Sequence, residues 1–199
     1  MKKSILAVAG VAAFAGIAMP VAGAFATDVT SQTDTIKVNI AETCTMKTVS
    51  HAPGTSSNGT WNVNVLSGTM TNGSNTDDYG STTFNIVCNN LKGWEVTAAN
   101  TVLTGKETSQ TIAQASDHSA TKSGWSWTVS KTAGTYKDDV TIPSGKQGVA
   151  SDSSVAKLTK ATDNTGETFK VTYGLGIQEN QAADEYSGTM TYTLSQLNS

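Results

Sequence analysis

From Glu167 to Leu194 the chain alternates apolar and polar residues with little interruption. Phe169, Val171, Tyr173, Leu175 and Ile177 are interleaved with Lys170, Thr172, Gly174 and Gly176. A period of two places the first set on one face of an extended strand. After a polar connection, Gln178 to Glu185, the alternation resumes with Tyr186, Gly188, Met190, Tyr192 and Leu194 against Ser187, Thr189, Thr191 and Thr193. Both runs are rich in β-branched and aromatic residues. The pattern predicts an antiparallel hairpin whose apolar face packs on a second sheet.

Upstream the same period recurs in shorter pieces. Ile36, Val38 and Ile40 alternate with Lys37 and Asn39, predicting a short strand that leads to Cys44. Turn residues at Pro53-Gly54 and Asn58-Gly59 precede an alternating run at Trp61, Val63 and Val65. Asn72 to Ser81 reads as a surface loop, and Phe84, Ile86 and Cys88 share one strand face. Further strands are expected at Trp94–Ala98, at Val102 and Leu103, and at Trp125–Val129. Gly105 to Lys122 reads as a loop around Ile112, Thr135 to Ile142 as a weak strand, and Lys146 to Gly166 as holding one short strand. No helical period appears beyond the first residues. Short strands separated by Gly, Asn, Asp and Ser turns predict an all-β, antiparallel sandwich.

The N-terminus changes the picture of where this domain works. Lys2 and Lys3, an apolar run from Ile5 to Ile17, Pro20 and then Ala24-Phe25-Ala26 describe a signal peptide cleaved after Ala26. A retained membrane anchor would need a longer apolar run. The expected mature chain, 27–199, is one secreted or surface-exposed domain with no membrane association after cleavage. All 13 basic residues are lysines, and losing two with the signal would move the net charge from -3 to -5. That balance, without arginine, excludes nucleic acid as an expected partner. Export also places the only two cysteines, Cys44 and Cys88, in an oxidising compartment, where an even count reads as one disulfide.

Candidate chemistry is sparse. His51 and His118 lie in polar stretches and are expected to be exposed, and no Gly-x-Ser-x-Gly elbow accompanies them. The acid pairs Asp77-Asp78 and Asp138-Asp139 read as solvated rather than as two carboxylates across a cleft. Asp77, Asp78, Asp163, Asn164 and Glu167 supply oxygen ligands for calcium but not at EF-hand spacing. Trp61, Trp94, Trp125 and Trp127 each fall on the apolar side of a run, which favours core filling over a sugar-stacking platform. No catalytic residue, metal or cofactor is expected. The alternative is a secreted carbohydrate-binding or glycan-active protein, with host or cell-wall glycans as partners.

The alternating strand ending at Cys44, the second cysteine in Phe84-Asn85-Ile86-Val87-Cys88 and the closing runs Phe169–Tyr173 and Tyr186–Leu194 together resemble bacterial pilin-like surface subunits. They are similar to the immunoglobulin-like sandwich of chaperone-usher pilins and spore-coat-U-type proteins. The last strand also resembles the C-terminal end of WxL cell-wall proteins, although Tyr192 stands where that family carries tryptophan and Trp61-Asn62-Val63 matches only loosely. The resemblance implies an adhesive or structural surface protein whose partners are other copies of itself or other surface proteins. It also implies that Ile36, Val38 and Ile40 exchange into a neighbouring subunit. Cys44 lies four residues past Ile40, and that closeness favours the other reading, a strand paired within its own sheet.

Overall fold

The computed structural model describes residues 36–54, 60–62, 65–132, 140–162 and 165–198. The expected signal peptide, Val63, Asp138, Asp139, Asp163 and Asn164 lie outside them. The chain divides into an N-terminal unit, Met1–Asn39, and a second unit, Ile40–Ser199. Among the described residues the second unit is all-β, without helices.

Its larger sheet is built on β4 (Ser74–Cys88), which pairs antiparallel with β1 (Cys44–Pro53) on one side and β10 (Glu167–Ile177) on the other. The free side of β10 takes β8 (Gly124–Lys131), giving the order β1-β4-β10-β8. A second antiparallel sheet has the order β12 (Met190–Gln196), β5 (Trp94–Asn100), β9 (Ser153–Leu158). Smaller sheets join β6 (Leu103–Gly105) to β7 (Thr111–Ile112) and β11 (Tyr186–Ser187), and β2 (Thr60–Asn62) to β3 (Val65–Ser67). Two layers around one core are consistent with a β-sandwich.

The core follows from the period of two. Phe84 and Ile86, Trp127 and Val129, and Phe169 and Val171 from the larger sheet meet Trp94, Val96, Val155 and Leu158 from the second. Phe84 stacks on Phe169 with ring centroids 5.4 Å apart, and on Tyr192 at 4.6 Å. Truncating a buried phenylalanine of this kind costs about 3–5 kcal/mol. A second apolar cluster, Ile112, Trp125, Leu175 and Ile177, continues the core toward the small β6-centred sheet.

Four expectations need correction. The two closing runs are not a hairpin: β10 and β12 belong to different sheets and face each other across the core. Alternation reports which face is apolar but not which strand lies alongside, and the connection through β11 is long enough to change layers. Asn72 to Ser81 is not a loop from Ser74 onward: β4 begins there, pairs with β10 at Ser74–Thr76, and has both β10 and β1 alongside it from Gly80. Within the expected Gly105–Lys122 loop, Ile112 is buried and β7 pairs with β6.

Ile36, Val38 and Ile40, finally, are in no strand, and they are 86, 75 and 80% exposed. Pairing begins only at Cys44. Asn89, the residue after β4, accepts from the Thr43 N–H and donates from its side-chain amide to the Ala41 carbonyl. The chain then turns through Leu91 and Lys92, so β4 offers no further ladder to residues before Cys44. The first strand, β1, is poorly marked in sequence because a register shift between Thr48 and Ser50 breaks its alternation.

Cys44 and Cys88 stand opposite each other at the end of the β1–β4 ladder and form a disulfide. The loop it closes has a sequence separation of 44, for which the chain-entropy relation gives about 4 kcal/mol. Reduction is expected to lower the unfolding free energy by about that amount in a urea titration. An unchanged midpoint with and without reductant would show that the bridge adds nothing to the ladder.

Candidate functional site

The β12 edge is where the core is incompletely covered. Its inner-facing residues Met190, Tyr192 and Leu194 are only half-buried, whereas Trp94, Val96 and Ala98 on the adjoining β5 are fully buried. β12 pairs with β5 on one side and has no partner on the other among the described residues. Beside it opens a cleft of about 1050 Å³, walled by Phe84, Leu103, Ile112, Trp125, Leu175 and Met190 and bordered by β1 at Thr48 and His51. Mostly apolar walls with a few placed polar groups are the composition of a binding cleft.

Those polar groups form a chain. The Tyr192 hydroxyl lies 3.3 Å from the Met190 thioether and shares a hydrogen bond with Tyr173, whose oxygen is 2.7 Å away. Tyr173 is in turn hydrogen-bonded to Thr82 at 3.3 Å, and Thr82 to His51 Nδ1 at 3.2 Å. Burial pushes both phenols above their ordinary range, and for Tyr192 the neighbouring Tyr173 adds to the shift. Both therefore remain neutral donors at physiological pH. His51, expected in an exposed loop, is half-buried on β1 as the head of this chain.

A second constellation lies on the outer face of the larger sheet. His118 is buried, contrary to the expectation from its polar neighbours, with Nδ1 2.6 Å from Asn75 Oδ1 and Nε2 2.8 Å from Ser126 Oγ. Asn75 accepts at that oxygen, so the neutral ring donates from Nδ1 and takes the Ser126 proton at Nε2. The order of groups is that of a nucleophile, base and orienting residue. Ser126, however, is only 1% exposed, and Gly174 covers it: a Cβ there would come within 2.8 Å of His118 Nε2 and 2.9 Å of Ser126 Oγ. A nucleophile needs room for a reacting atom, and this one has none. The trio instead fastens the segment before β8 onto the glycine-lined face. No local sequence signal marks it, since the space His118 occupies is supplied by Gly174, distant in the chain.

Other singled-out residues that the structure describes are engaged in packing or in polar contacts within the domain. Trp94, Trp125 and Trp127 are buried, and the indole N–H groups of Trp125 and Trp127 donate to the carbonyls of Thr101 and Gly148. Asp77 pairs with Lys146 at 2.5 Å. Glu167 is buried at the start of β10. No group of three or more His, Cys, Asp or Glu side chains suited to a metal occurs among the described residues. Asp184, at the cleft rim, accepts from the Thr108 hydroxyl and from the backbone N–H groups of Glu107, Thr108 and Glu185. These bonds, that of the Thr108 hydroxyl foremost, hold its carboxyl down to about 2. The chain matches no protein-family model, and neither a curated protein nor a solved structure is detectably similar to it.

Burial, helped by the nearby Lys146 charge, lowers the His118 pKa below its ordinary value, while Asp77 and Asp117 oppose the shift. In the unfolded chain the ring protonates near pH 6.5. Between that value and the lower folded one the unfolded state binds more protons, so stability rises with pH across this window and falls on acidification. Unfolding titrations from pH 7.5 to 5 should show this loss, and His118→Gln should flatten it. An equal acid loss in the variant would assign the effect to other groups.

Proposed function

We propose that this chain is an exported, non-catalytic bacterial surface subunit with a pilin-like, immunoglobulin-type sandwich, and that copies join by strand addition. The observation that carries this reading is the presence of an unfinished edge and an exposed alternating apolar segment in one molecule. β12 leaves Met190, Tyr192 and Leu194 half covered beside an apolar cleft, while Ile36, Val38 and Ile40 are exposed apolar residues that no sheet among the described residues takes up.

Main-chain hydrogen bonds along a free edge supply affinity, and alternate side chains entering the cleft supply specificity. An uncovered edge is otherwise a liability for uncontrolled aggregation. The disulfide is consistent with an oxidising, extracellular setting, and the sequence resemblance to pilin-like and spore-coat-U-type subunits supports the same location and role. Trp94, Trp125 and Trp127 are buried, which favours this reading over a sugar-stacking platform built on them.

Protein beginning at Thr27 should sediment as a concentration-dependent series of chains. The variant carrying Ile36→Asp, Val38→Asp and Ile40→Asp should sediment as a monomer with an unchanged melting temperature, because the row is exposed within its own molecule. A native protein that stays monomeric at every concentration, or an aspartate variant that still assembles, overturns the proposal.

A further inference from the structure

Resting on that reading, we infer that the register of the joint is set by Val38 of one copy lying beside Tyr192 of the next. Three residues with side chains on one face of a strand span the same length as three on its neighbour, at about 3.3 Å per residue. Ile36, Val38 and Ile40 therefore match Met190, Tyr192 and Leu194 position for position. Because both rows are three long, the central residues meet whether the incoming strand runs parallel or antiparallel to β12.

The alternatives are distinguishable by size and charge. A slip of one residue turns the incoming strand over and sends Lys37 and Asn39 into the apolar cleft. A slip of two leaves one end of the β12 row bare and sets an isoleucine against Tyr192. Full overlap covers all three half-buried residues and places the smallest incoming side chain beside the largest resident one.

Tyr192 cannot swing aside to accommodate a larger neighbour. Its hydroxyl is held by Tyr173 at 2.7 Å and by the Met190 sulfur at 3.3 Å, and its ring packs on Phe84 at 4.6 Å. A side chain fixed at both ends acts as a gauge for what lies next to it. Overpacking against such a residue is penalised because neither partner can relax.

Sedimentation velocity on chains beginning at Thr27 tests this with Val38→Phe, Ile36→Phe, Ile40→Phe and the double variant Val38→Phe with Tyr192→Ala. Val38→Phe is expected to weaken assembly about tenfold or more, the two isoleucine variants distinctly less, and the double variant to recover most of the loss. Melts of each variant at dilutions where it is monomeric separate a lost contact from a lost fold. Should Tyr192→Ala not fold, Tyr192→Leu keeps apolar cover while shortening the side chain. Native chains that assemble while Val38→Phe is no worse than Ile36→Phe, or a double variant that stays as weak as the single, overturn the register but leave strand addition standing. Native chains that never assemble overturn both.

Discussion

The architecture depends on β10 being hydrogen-bonded along both edges, to β4 and to β8, while its inner row fills the core. A strand in that position can satisfy its backbone only if distant segments arrive in register. Phe169 opposite Phe84, and Val171 opposite Val129, are the points where the ladder and the apolar core agree. A shift of one residue along either ladder would send Lys170 and Thr172 inward. β1 adds a fourth strand to a frame that this pairing has already set.

Much of this frame was legible in the chain, and the failures share a cause. The inner rows of β10, β8 and β5, the lack of helices among the described residues and the pairing of the two cysteines follow from period and composition. The face of a residue is a local property and can be read from its neighbours in sequence. Its partner is not. The closing runs were expected to pair with each other, yet the layer change at Tyr186 sends β12 to β5. Asp77 and Asp78 looked like loop residues, yet they lie within the long β4, at the point where its ladder with β10 shifts register. His118 looked exposed because the room that receives it comes from Gly174, which only the folded sheet brings near.

The candidate site was only half legible for the same reason. The row at Ile36, Val38 and Ile40 stands out in the sequence, but its exposure depends on β4 ending at Cys88 and on Asn89 claiming the backbone that follows the row. The cleft and its polar chain draw on His51, Thr82, Tyr173, Met190 and Tyr192, which lie on four strands of two sheets. No spacing in the chain could announce that these groups meet.

The position of the bridge bears on how a linked array would carry tension. A pull delivered through the residues before Cys44 reaches the sheet at the first residue of β1, where a lone hydrogen-bonded edge strand would peel away one pair at a time. The covalent bond to Cys88 diverts that load past β1 into β4, which is flanked on both sides from Gly80 to Ile86. The outermost strand is thereby spared, and the force is shared among ladders that must yield together. In such an array that placement would make the bridge a mechanical fitting as well as a thermodynamic one.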